Sequence, residues 1–269
     1  MLTSPTQMHI PDGFLSVILS LVLWAISAGV VALALRRANR QLDERMVPLM
    51  GILAAAIFAG QMINFTVAGG TSGHLMGAAL ATILVGPWAS ILVMTAVVSV
   101  QALLFQDGGL LALGANIFNM AVVGTVVSYS VYTILQRITG KGSRSTTFSG
   151  FAAAWASITF SALAVALQLA LSGASPANLA VPVMGGIHVI IGLGEGLITA
   201  GALAFISASQ PALLAVRNKP VENRALVLIS GTAITLLLAL LSPLASSHPD
   251  GLEWVDDRRR CRCGSLARG

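Results

Sequence analysis

The feature that most limits what this chain can become is a succession of apolar runs, each about as long as a bilayer is thick, with almost no charge inside them. They extend over Phe14 to Leu35, Met46 to Val67, Leu75 to Phe105, Leu110 to Leu135, Phe151 to Ser172, Gly185 to Ile206 and Ala225 to Ala245. In hydrocarbon a spanning segment must satisfy its own backbone hydrogen bonds, so each run predicts a helix and the fold class is all-α. The third run is too long for one span, and Gly86-Pro87 divides it in two. Seven spans therefore precede Ile206, and an eighth follows. Only 9% of the 269 residues are charged while 56% are hydrophobic, which leaves no separate soluble domain.

Charge then sets the expected orientation. The ten Lys and Arg residues before position 256 all fall in segments 36–45, 136–150 and 207–224, which the span count places on one side of the membrane. By the positive-inside rule that side is cytoplasmic, with the N-terminus and the C-terminus outside a multi-pass cell-membrane protein. Met1 to Gln7 carries no positive charge and the run after it is too long for a signal-peptide core, so the first helix is read as retained. The net charge of +5 is spread between apolar runs and forms no nucleic-acid-binding stripe. Cys261 and Cys263 are too close together for easy mutual pairing and indicate no compartment. The two halves share no motif, which speaks against an inverted-repeat transporter. Lys141 lacks the glycine spacing of a phosphate-binding loop, so the chain holds no ATP site of its own.

The residues able to carry chemistry are few. Met8-His9-Ile10-Pro11-Asp12-Gly13 places a histidine one residue after Met8. Were Met8 a free terminus, its amine, the His9 amide nitrogen and the imidazole would form a planar chelate suited to Ni2+, Cu2+ or low-spin Co2+, with His74 as a fourth nitrogen. The competing reading is an exposed terminal histidine followed by a turn. His74 ends the glycine-rich Gly69-Gly-Thr-Ser-Gly-His74, a binding loop or merely a flexible one. Gly70-Thr-Ser72-Gly73 together with His188 also matches the pattern of rhomboid intramembrane serine proteases, the rival enzyme reading. Asn64, Gln61, Gln101, Asn116 and Asn119 are amides on apolar spans and must face the bundle interior, either as interhelical bonds or as groups that orient a ligand histidine. Glu195, in Gly192-Leu-Gly-Glu-Gly-Leu197, is the only carboxylate inside a predicted span and needs a partner there.

Six motifs in order carry a resemblance. They are Met8-His-Ile-Pro-Asp-Gly-Phe14, Gly70-Thr-Ser-Gly-His-Leu75, Gly86-Pro-Trp88, Val100-Gln-Ala-Leu-Leu-Phe-Gln-Asp-Gly-Gly109, Leu113-Gly-Ala-Asn-Ile-Phe-Asn-Met120 and His188 to Thr199. Over Met8 to about Ile206 the chain resembles the CbiM/NikM family, the substrate-capture subunits of energy-coupling-factor cobalt and nickel transporters. The resemblance implies a seven-helix bundle that takes Co2+ or Ni2+ as its substrate and has no organic cofactor. It implies a metal held by the Met8 amine, the His9 backbone and imidazole nitrogens and His74, with Asn64, Ser72, Gln101, Asn116, Asn119, His188 and Glu195 as supporting or structural candidates. The implied partners are a transmembrane coupling subunit, two ATPases that supply all hydrolysis, a small accessory membrane subunit and lipid. A third reading is a capture subunit for an organic vitamin, disfavoured by an aromatic content of only 6%. The expected division is an extension at 1–7 that is removed or never translated, a metal-capture domain at 8–206, a cytoplasmic loop at 207–224, an accessory-subunit-like helix and outer segment at 225–255, and an atypical basic tail at 256–269.

Overall fold

The computed structural model describes residues 8–41, 46–67, 71–140 and 142–209. The element order is α1 (Val17–Gln41), α2 (Met46–Gln61), β1 (Asn64–Val67), β2 (Thr71–His74), α3 (Ala78–Val85), α4 (Pro87–Leu104), α5 (Leu113–Ile117), a π-helical turn (Phe118–Val123), α6 (Gly124–Thr139), α7 (Ser143–Leu171) and α8 (Ala177–Ser209). Segments α5 to α6 form one continuous rod, Leu113–Thr139. Five of the helices are long and apolar enough to cross a membrane, while α2 has 16 residues and α3 only 8. Large side chains such as Ile18, Leu104 and Leu171 are more than 70% exposed on the outside of the bundle, where lipid would cover them. The expected eighth helix, the 207–224 loop and the tail lie outside the described residues, apart from the end of α8.

The break at Gly86-Pro87 falls where the sequence places it, with Pro87 at the first position of α4, where its missing N–H costs nothing. Three other boundaries move. Helix α2 stops at Gln61, because 64–67 pairs antiparallel with 71–74 in a two-stranded hairpin instead of continuing to Val67. Helix α7 begins at Ser143, eight residues before the apolar run, since the tight turn around Gly140 leaves the polar 143–150 segment free to start the helix. Helix α8 begins at Ala177 and carries Pro182 within it, a tolerance shared by many membrane helices.

The core is built from small residues and shared hydroxyls. Ala78, Ala79, Ala81, Ala153 and Ala154 are fully buried, letting α3 and α7 approach closely. Thr82, Ser90 and Thr125 form a hydroxyl chain across α3, α4 and α6, with both links 3.0 Å long. Helices α7 and α8 pack antiparallel over their lengths. Gly192 receives Trp155 and Gly196 receives Phe151, contacts that a Cβ at either glycine would obstruct.

Candidate functional site

The site is made where the residues preceding α1 fold under the turn that joins α4 to α5. Six hydrogen bonds hold this N-terminal strap. Ile10 donates to Asn116 Oδ1 at 3.1 Å, and the Asn116 amide returns a bond to the Ile10 carbonyl at 3.1 Å, so one side chain satisfies both backbone groups of Ile10. Gly109 donates to the same carbonyl at 3.0 Å, and Asp12 accepts from the Ala112 N–H at 3.0 Å. The last two are made by Asp107, whose Oδ1 accepts from Met8 N at 2.7 Å and His9 N at 3.1 Å. Glycine is required at 108 and 109, because a Cβ would strike His9 at the first and fall on Asp12 at the second, and Gly108 has a φ of +96°.

This strap buries His9 to 4% exposure and brings its ring to 5.5 Å, centroid to centroid, from that of His74. His74 closes the hairpin opposite Asn64. Its Nδ1 bonds the Leu75 carbonyl at 2.9 Å, and since a carbonyl cannot donate, Nδ1 carries the proton and Nε2 keeps its lone pair. The His9 Nδ1 lies 3.0 Å from Asp107 Oδ2, an ion-pair distance without the alignment of a hydrogen bond, and neither His9 ring nitrogen has a hydrogen-bond partner among the described residues. Burial and the neighbouring His9 pull the His74 imidazole below its ordinary value. For Asp107, burial pushes upward, but the two nearby imidazoles, His9 foremost, and the Met8 N–H together hold the carboxyl below the usual range.

Met8, His9, His74, Asn116, Asn119 and His188 share one cavity of about 80 Å³. That is room for an ion and one or two waters, whose share of liquid is ~30 Å³ each, and is well below the 300–1,000 Å³ typical of organic ligands. His188 binds the Met184 carbonyl through Nδ1 at 2.8 Å. Asn119 exchanges two amide bonds with Gln168, at 2.8 and 2.7 Å, and accepts from Ser161 through its carbonyl at 2.9 Å. It lies in the π-helical turn, an irregularity frequent at functional sites.

The remaining candidates stand apart from this cavity. Glu195, fully buried, accepts from Met76 N at 2.7 Å and Gly77 N at 2.8 Å, fastening the segment after His74 to α8. Gln101 is buried with no side-chain partner among the described residues, while its carbonyl accepts from Asp107 N at 3.1 Å. The side chains of Asn64 and Ser72 lie outside the described set. Asp107 and Gln168 were not singled out from sequence. Asp107 reads as an ordinary turn residue, and its signal was rarity, being one of 10 acidic residues in the chain.

No group of three or more His, Cys, Asp or Glu side chains with metal-holding geometry exists among the described residues. Residues 9–213 match the family described as the cobalt uptake substrate-specific transmembrane region. A Haloquadratum walsbyi chain, provisionally named as a metal transport protein, is 44% identical over 209 residues, 77% of this chain and 93% of that one. The fused nickel transport protein NikMN of Rhodobacter capsulatus is 35% identical over 262 residues, 92% of this chain and 75% of its own. A crystal structure of a truncated transition metal transporter superposes with a TM-score of 0.68 at 33% identity, covering 75% of this chain and 99% of that one. All three are named as transport proteins, which favours the transport reading over the serine-protease one. The chain thus belongs to the CbiM family, as a multi-pass, substrate-specific membrane component of cobalt and nickel transport.

Proposed function

We propose that the chain captures Co2+ or Ni2+ in a four-nitrogen site. The ligands are the amine of Met8 at the start of the mature chain, the ionised amide and the imidazole Nδ1 of His9, and the imidazole of His74. Capture releases the ammonium and amide protons to water. The observation that carries this reading is the 5.5 Å separation of the buried His9 imidazole and the half-buried His74 imidazole. An ion ~2 Å from each ring nitrogen joins rings whose centroids are roughly 4.5–6.5 Å apart, depending on the angle at the metal. The small cavity supports the same reading over a vitamin. The partners would be a transmembrane coupling subunit and two ATPases, of which the ATPases supply the energy for inward delivery, with an accessory membrane function carried by residues 225–255.

The test is the N-terminus itself. A peptide bond from Gln7 to Met8 removes the basic amine, and metal binding would then need a second ionised amide. Protein beginning at Met8 is expected to bind Ni2+ and Co2+ in calorimetry far more tightly than protein that retains residues 1–7, and N-terminal sequencing of the native product is expected to begin at Met8. Equal binding by the intact Met1 form would replace this site with one built from imidazoles alone.

A further inference from the structure

Asp107 makes contacts that the ligand set does not account for. It sits in the turn between α4 and α5, 7% exposed, and reaches three nitrogens with one carboxylate. Oδ1 takes the N–H groups of Met8 and His9 at 2.7 and 3.1 Å, while Oδ2 lies 3.0 Å from the His9 Nδ1. These are the three nitrogens of the Met8–His9 chelate. A carboxylate can meet all three only if they already line one arc, and an N–H aimed at its oxygen is aimed where a metal–nitrogen bond would run.

We propose that Asp107 is the positioning residue of the chelate: its carboxylate gathers the three nitrogens along one arc and supplies the counter-charge to the captured ion. The proposal rests on the terminal-amine reading given above. The charge follows from the chemistry, because a divalent ion with one ionised amide and three neutral nitrogens leaves a single positive charge in a buried site. Asp107 is the buried carboxylate in contact with that site, whereas Asp12 is exposed and occupied by the Ala112 N–H. Gly108 and Gly109 allow the turn to press this close to the strap.

Protein beginning at Met8 should be titrated with Ni2+ by calorimetry and by its visible ligand-field absorption, as wild type, Asp107→Asn, Asp107→Glu and His9→Ala, with metal-free thermal unfolding recorded for each. Asparagine keeps the shape and an acceptor oxygen but not the charge. It is expected to weaken Ni2+ binding about tenfold or more, the usual range for a partner of metal ligands, with only a small drop in the metal-free melting temperature because the charge also supports the strap N–H groups. Glutamate should restore most of the affinity and the wild-type band. If Asp107→Asn binds as wild type does, the proposal is overturned and the amine site stands. Equal losses in the Asn and Glu variants, with metal-free melting lowered in both, would make the role structural and overturn it too. If His9→Ala binds as wild type does, the amine site and the proposal fall together.

Discussion

Two imidazoles and a carboxylate packed close together make this end of the molecule sensitive to acid. His74 is held below its ordinary value near 6.5, so as pH falls the unfolded chain takes up that proton first and the folded state loses stability below about 6.5. Asp107 is also held low, so its contribution is present above about 3.8 and is lost as pH falls through its still lower folded value. The melting temperature of metal-free protein in detergent is therefore expected to drop between pH 7 and 5, and His74→Ala to flatten that drop. The two histidines should also differ as ligands. His74→Ala leaves three chelating nitrogens and weakens capture, whereas His9→Ala removes the ring that closes the chelate and abolishes it, as metal titration will read. His9 and His74 were legible as candidates because histidine is scarce and both lie just outside apolar runs. Asp107 was not, because a lone acidic residue beside glycines has the same sequence signature whether it caps a turn or grips a neighbouring strap.

At the scale of elements, the hairpin and α8 act as one unit. Glu195 spans two consecutive N–H groups beyond His74, and Gly73 lies directly against Ile191. Glu195→Gln can accept only one of the two bonds and turns an NH2 toward the other, a loss of about 2–4 kcal/mol for a buried, charge-assisted pair. The measurable results are a lower melting temperature and faster hydrogen exchange at the Met76 and Gly77 amides. Apolar runs located the helices well, and the Gly86-Pro87 break was readable from residue type alone. The hairpin was not readable, since Asn64 to Val67 continues the hydrophobicity of α2 and its pairing with 71–74 depends on a return of the chain that periodicity does not encode. The early start of α7 was hidden for the opposite reason, a polar helix turn looking like a loop when only hydropathy is followed.

For the molecule as a whole, the described basic residues Arg36, Arg37, Arg40, Arg137 and Arg144 lie at the ends of α1 and α6 and the start of α7. The strap and the candidate site lie at the opposite ends of the same helices, where Leu169 of α7 packs with Ile10 of the strap. The expected orientation puts the arginines in the cytoplasm. In a background with Cys261 and Cys263 replaced by serine, Gly173→Cys should react with an impermeant thiol reagent in intact cells and Gly142→Cys should not; the reverse result would invert the topology. The segregation of charge also limits how the protein can move. Each guanidinium at the middle of the hydrocarbon costs roughly 2.5–3.5 kcal/mol on insertion scales, so carrying all of them through would cost upward of about 12 kcal/mol. Turning end over end is closed to such a body. What stays open is leaning, with the arginine end kept in water as a heel while the capped end swings down toward it.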